Sequence, residues 1–215
     1  MKCLLSLPCL SMKNKELTKR KLIDAIGEIS KSQGLKGLKI SKVSRHAGVD
    51  RKLIYRYFGN LNNLIEAYII ENDYWMLFAD HLKKTLREGD RTGSQAFITT
   101  VLQEQFRFFL EKKEMQLLIL MELSEKNPLM QSIHNARESL GQDFFEITDE
   151  HFASTTVNFR AVAALLVGGI YYIILHTRHN GYKFSDIDLR SEEGINAILE
   201  TIANVIDWSF LSAVK

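Results

Sequence analysis

Two cysteines and two prolines are all that this sequence of 215 residues contains of the residues that staple or break a chain. Cys3 and Cys9 are too few for a disulfide framework or a metal cage, and such sparse use of cysteine fits a reducing cytosol. With proline only at positions 8 and 128 and 12 glycines, helix breakers are scarce. No strand-like alternation bounded by turn residues competes with helical periodicity, and no internal repeat is present. The HExxH, GxSxG and phosphate-loop patterns are missing, as are the paired Glu-x-x-His motifs of di-iron bundles, so the chain is read as a non-enzyme without a cofactor. His176 and His179 lie three apart, but no cysteine or acid cluster completes a site and no metal is assigned. The length suits one or two domains.

What is present is an uneven distribution of charge. The net charge of +2 conceals a block over residues 13–60 with thirteen Lys/Arg and four Asp/Glu, followed by a remainder with fourteen basic and twenty-two acidic residues. A basic block beside an acidic remainder implies two domains, of which the first meets a polyanion. Before that block, MKCLLSLPCLSM has one lysine and an apolar run but no small-x-small cleavage site. Residues 1–12 are therefore expected to be a disordered tail or an over-extended start with Met12 as initiator. The uncharged run from Ala161 to Thr177 would rise only about 26 Å as a helix, and is read as a buried packing helix rather than a membrane span.

Apolar spacing of three and four residues predicts helices almost throughout. Leu22, Ile23, Ile26 and Ile29 mark a first helix from about Lys15 to Gln33, ended by Gly34. Ile40, Val43 and Ala47 give a very short second helix ended by Gly48, and Asp50 is placed to cap a third over Arg51–Phe58. Asn60 caps a fourth, expected to be long because its stripe runs from Leu61 through Tyr68, Trp75 and Leu82 to Leu86. Further helices are expected at about 94–112, 115–124, 128–151, 155–178 and 192–213. The fold class is thus all-α: a three-helix N-terminal domain over 13–60 and a larger helical domain over 61–215.

The segment Lys39–Phe58, KISKVSRHAGVDRKLIYRYF, has the form of a helix-turn-helix. Gly48 supplies the residue that tolerates positive φ at the turn, with small Ser44 and Ala47 where the helices cross. Val43, Val49, Ile54 and Tyr57 fall where a small core needs sealing. A generic helical hairpin with a glycine linker would share this local pattern.

From Leu22 to Ile70 the sequence resembles the N-terminal domain of the tetracycline-repressor (TetR) family of bacterial transcription regulators, down to the ending Tyr55-x-Tyr57-Phe58-Gly59 followed by Leu64. The resemblance implies a homodimer that binds double-stranded operator DNA, with a C-terminal helical domain for dimerisation and effector binding. Two departures stand out: Lys39 replaces a capping threonine, with Ser41 the nearest hydroxyl, and Leu61 replaces a phosphate-contacting lysine. Lys52 and Leu53 replace small residues of the recognition helix, so no operator sequence carries over.

Lys39, Ser41, Lys42, Arg45 and Arg56 are expected at phosphates, where neutralisation makes affinity steeply salt-dependent. Arg51 and Lys52 open the recognition helix and are candidates for guanine edges. Tyr55 and Tyr57 resemble the family's phosphate-contacting tyrosines, Tyr57 being also suited to the core. One short helix reads few base pairs, so a dimer is needed. Ala164, Leu165, Gly168, Gly169 and Tyr172, with Ile198, Ile202 and Val205, are expected at its interface, although periodicity cannot separate interface from intrachain core. Trp75, Phe106, Phe109, Met121, His134, Phe145 and Tyr171 are candidates to line a pocket for a small apolar or amphipathic effector. The expected function is a cytoplasmic DNA-binding transcription regulator, a repressor released by its effector. The alternative is a helical dimeric ligand-binding or interaction module without sequence-specific DNA binding.

Overall fold

A computed structural model describes residues 7–79, 94–124, 128–146 and 148–213. In chain order they form α1 (Leu7–Gln33), a 3₁₀ turn (Leu35–Gly37), α2 (Ile40–Ala47), α3 (Lys52–Phe58) and α4 (Leu61–Asn72). Residues 74–79 are helical again (α5). There follow α6 (Ser94–Glu111), α7 (Lys113–Ser124), α8 (Pro128–Phe145), α9 (Asp149–Phe152), α10 (Phe159–Asn180), a hairpin of β1 (Lys183–Phe184) and β2 (Ile187–Asp188), and α11 (Glu192–Ala213). The fold is all-α, in two compact units: Met1–Asp73 with Leu120–Ile133, and Tyr74–Ile119 with His134–Lys215.

In the first unit, α1 buries Leu22, Ile23, Ile26 and Ile29 and packs on α2 and α4, while α3 packs on α4. Val43, Ile54 and Leu64 are fully buried, each worth about 1.5–3 kcal/mol of transfer from water. A Cβ at Gly27 would lie 2.8 Å from the Tyr68 ring, so α1 and α4 approach closely at that point. Arg20 joins the same two helices, bonding Asp24 at 2.8 Å and Glu71 at 2.6 Å. From residues 120–133, Leu129, Met130 and Ile133 are buried, and the Ser132 hydroxyl donates to Glu66 at 2.5 Å.

In the second unit, α6 packs on α10 and α11, with Phe106 fully buried. Phe152, Phe159 and Phe210 form an aromatic knot with ring centroids 4.6–5.6 Å apart. A Cβ at Gly194 would lie 2.2 Å from the Asp188 carbonyl oxygen, so only glycine lets β2 seat against the start of α11.

Several boundaries differ from expectation. Helix α1 starts at Leu7, ahead of the Lys15 expected from the apolar spacing; residues 1–6 lie outside the described residues. Helix α4 stops at Asn72 instead of running on to Leu86, because Asp73 is extended at φ −76 and ψ 134. Asn72 Nδ2 donates to the Tyr68 carbonyl at 2.8 Å, and the Asp73 N–H closes the last helical bond to Ile69 at 2.7 Å. Asn and Asp side chains compete with the helical ladder and favour ends. The apolar spacing continues across the break, which hides it from periodicity; Leu82 and Leu86 lie outside the described residues. The junction also moves α4 into the first unit, past the expected division at 60/61.

The helix expected over Pro128–His151 is two, α8 and α9, with Thr148 bonding back to the Phe145 carbonyl between them. Helix α10 starts at Phe159 because Asn158 Oδ1 accepts from the Ala161 N–H at 3.1 Å. The hairpin was not expected at all. Its turn residues Ser185 and Asp186 both have positive φ, 51° and 62°, the conformation of a tight two-residue turn that Asn-Gly would have signalled.

Candidate nucleic-acid interface

The turn between α2 and α3 is built by two residues. Gly48 adopts φ 65 and ψ 34, and the Val49 N–H returns to the Ser44 carbonyl at 3.0 Å, closing the helix end. A Cβ there would meet nothing within 4 Å, so backbone conformation alone requires glycine. Asp50 Oδ1 then accepts from the Lys52 N–H at 2.8 Å and caps α3. At the far end, Asn60 Oδ1 accepts from the Asn63 N–H at 2.9 Å, and Asn63 Nδ2 donates to the Phe58 carbonyl at 2.8 Å. Both ends of the seven-residue α3 are therefore tied down.

Beneath this frame Val43 and Ile54 are fully buried, and Val49 and Tyr57 are half-buried, as the spacing predicted for the small core. Above it Lys39, Ser41, Arg45, Arg51, Lys52, Tyr55 and Arg56 are exposed, with Lys42, Leu53 and Tyr57 half-buried. Over residues 39–58 six Lys/Arg face one acid, Asp50, whose carboxylate is occupied as a cap. The result is a rigid cationic surface carrying two tyrosines, with the Arg56 guanidinium 5.9 Å from the Tyr57 ring centre. Lys42 Nζ bonds Gln33 of α1, and Lys39 stands at the start of α2 without a side-chain cap. Missed by sequence reasoning is the pair between His46 and Glu28, which ties α2 to α1. Nothing in the spacing of residues eighteen apart signals it.

The expected dimer residues separate into two groups. On α10, Ala164, Leu165, Gly168 and Tyr172 are exposed, Leu165 at 77% and Tyr172 at 56%, and Gly169 is half-buried. On α11, Ile198 and Ile202 are buried in the core of their own unit, the alternative that periodicity left open, and Val205 is half-buried. Trp208 and Leu211, at 62% and 69% exposure, are the outward apolar residues of that helix. The strongest apolar stripe of α11 is taken by the core, leaving a weaker one outside. Helix α10 is long and apolar enough to cross a membrane, with mean hydropathy 1.7. It is not the wholly buried packing helix that was expected: Ala163, Ile170 and Ile174 face the core and the opposite side is bare.

Of the pocket candidates, Trp75, Phe109 and Tyr171 come together in the second unit. Trp75 Nε1 donates to the Tyr171 hydroxyl at 3.1 Å, and the Phe109 and Tyr171 rings are 4.7 Å apart. Phe106 is buried on α6, and Phe145 lies half-buried beneath the Arg160 guanidinium, 4.7 Å away. Met121, in the first unit, is half-buried, and His134 is exposed. Neighbouring Tyr74 donates to the Val101 carbonyl at 2.6 Å, and burial raises its phenol pKa well above the ordinary value.

Residues 22–68 match the family model described as bacterial regulatory proteins, tetR family. No curated protein sequence matches the chain. Among solved structures, the chain is similar to the transcriptional regulator FadR from Bacillus subtilis in complex with stearoyl-CoA, at 18% identity and TM-score 0.63, covering 86% of this chain and 98% of that one. It is also similar to FadR, a fatty acid degradation regulator from Bacillus halodurans, at 14% identity and TM-score 0.61, covering 87% and 96%. A TetR family transcription regulator from Marinobacter aquaeolei VT8 is similar at 15% identity and TM-score 0.59, covering 90% and 97%.

Proposed function

We propose, from the premise that residues 22–68 are the N-terminal domain of a tetR-family transcription regulator, that this chain is a dimeric cytoplasmic repressor released from operator DNA by a small apolar or amphipathic effector. The observation that carries the DNA-binding part is the exposed cationic surface of α2 and α3, held by Gly48 and Asp50 over a sealed core. Arg51 and Lys52 open α3 and read base edges, while Lys39, Lys42, Arg45, Arg56 and the tyrosines position the helix on phosphates. The bare faces of α10 and α11 pack against those of a second copy as a four-helix bundle. Open space at Gly168 and Gly169 supports close approach of two α10 helices. That pairing sets two recognition helices about 34–36 Å apart, one turn of DNA.

The aromatic cluster of the second unit supports an apolar effector, and the stearoyl-CoA bound to the similarly folded regulator makes an acyl chain a reasonable first probe. Coupling cannot run along one continuous fourth helix, because α4 ends at Asn72. It is reciprocal in any case: an effector that weakens operator binding tenfold is itself weakened tenfold by operator, about 1.4 kcal/mol.

Selecting bound fragments from genomic DNA tests the reading, followed by titration at several salt concentrations. A repressor retains a few discrete fragments, with affinity falling steeply as salt rises. The alternative, a dimeric helical module without sequence-specific DNA binding, draws on the replacements at Lys39 and Leu61; uniform weak retention of all fragments would establish it. Within the first reading, Lys52→Ala is expected to cost about 1–3 kcal/mol on the preferred sequence and to relax specificity there. Tyr57→Phe should weaken all sequences alike. Competition binding on a panel of operator variants separates the two, and the reverse pattern would exchange the roles assigned.

A further inference from the structure

Gln105 lies in the middle of the buried stripe of α6 at 1% exposure, and neither its amide oxygen nor its amide nitrogen has a hydrogen-bond partner. The other buried glutamine of the unit, Gln116, donates to the Phe109 carbonyl at 2.6 Å and to that of Leu110 at 3.2 Å, and accepts from Arg178. One buried amide is thus served by the fold while the other keeps two donors and two lone pairs open. Buried polar groups are normally paired, so an open one points to a group supplied from outside the chain.

The surroundings of Gln105 follow from its helical position. Gln103, two residues away, donates to the Leu199 carbonyl of α11 at 2.9 Å; a step of about 200° turns Gln105 to the opposite side. Four residues either way, on its own face, are Val101 and Phe109. The Val101 carbonyl receives the Tyr74 hydroxyl, and Phe109 meets Tyr171, which in turn receives the Trp75 N–H. This face is therefore aromatic, with one neutral amide at its centre. Among the described residues of the unit no Asp, Glu, Lys or Arg is buried, and burying an ionised head group without a buried counter-charge is costly, which favours a neutral one.

We propose that Gln105 is the polar anchor of the effector site, and that it selects a ligand with a neutral head presenting a donor beside an acceptor, as a carboxamide does, on an apolar body packed against Trp75, Phe109 and Tyr171. This rests on the reading above that the second unit holds the effector. The amide of Gln105 pairs with that head through two antiparallel hydrogen bonds, which an acceptor-only ester cannot make.

The experiment titrates the full-length protein by calorimetry with dodecanamide, 2-naphthamide and methyl esters of the same two carbon skeletons. At least one amide is expected to bind about tenfold or more tightly than its ester. Gln105→Leu should bring the two within about twofold while the ester keeps its affinity, with Gln105→Met as the substitute should the leucine variant not fold. An amide preference that survives both variants, or no preference in the wild-type protein, overturns the assignment of Gln105. Failure of all four probes to bind overturns it together with the effector site. An amide that binds through Gln105 yet leaves operator affinity unchanged upholds the anchor and removes the regulatory reading alone.

Discussion

The two units use their side chains in opposite ways. The first keeps its chemistry outside: the cations of α2 and α3 project from a core of small and aliphatic residues such as Val43 and Ile54. The second keeps its distinctive chemistry inside, in Phe106, Phe109 and the unpaired Gln105, and presents bare Leu165, Tyr172, Trp208 and Leu211 outside. A surface that reads a polyanion must expose charge on a rigid backbone, whereas a surface that meets its own copy is best apolar and open. Substitutions of the exposed cations of the first unit should therefore change function without stability, whereas substitutions of the buried aromatic residues of the second unit should change both.

The largest effect is expected from Phe106→Ala, which removes a fully buried ring and should cost about 3–5 kcal/mol of stability. Denaturant unfolding checks it, and a loss below about 1 kcal/mol would contradict the packed core assigned to α6. Next, Leu165→Glu with Trp208→Glu should leave the monomer folded, since both side chains are mostly exposed, yet dissociate the proposed dimer. Sedimentation velocity reads the outcome; a dimer that survives both charges is held elsewhere.

In the first unit, Gly48→Val places a β-branched residue at φ 65 and should strain the turn by about 1–3 kcal/mol, with a larger loss in operator binding than in dimerisation. Gel-shift titration beside sedimentation of the same variant would break the contrast if dimerisation fell first. The smallest effect is a pH effect in the second unit. The side-chain hydrogen bond from Arg190, helped by its backbone N–H, lowers the Asp188 pKa to about 2 from the ordinary 3.8. The contribution of this pair is present above about pH 4 and is lost as pH falls through about 2, the sign expected for a depressed carboxylate. Chemical shifts of Tyr182 and Arg190 followed by NMR between those limits report it, and a midpoint near 3.8 would show the pair to be open in solution.

Legibility tracked the range of the interactions involved. The caps at Asp50 and Asn60 and the left-handed Gly48 act within three or four residues, and each was readable from local chemistry. The break at Asp73 was not, because the apolar stripe keeps its register through it and only side-chain competition with the backbone ends α4. The Ser185–Asp186 turn escaped because neither residue demands positive φ; the seat for β2 at Gly194 stabilises it instead. In α11, periodicity found the apolar stripe but had no means of telling Ile198 in the core from Trp208 on the surface.

By itself the sequence determined the helical class, the cationic α2–turn–α3 surface and its small core, since these depend on propensity, capping and spacing within a few residues. Tertiary structure alone decided which apolar stripe of α10 and α11 stays bare, and that Gln105 is buried without a partner. Both depend on which surfaces meet across the second unit, and contacts between distant segments leave no periodic trace in the chain.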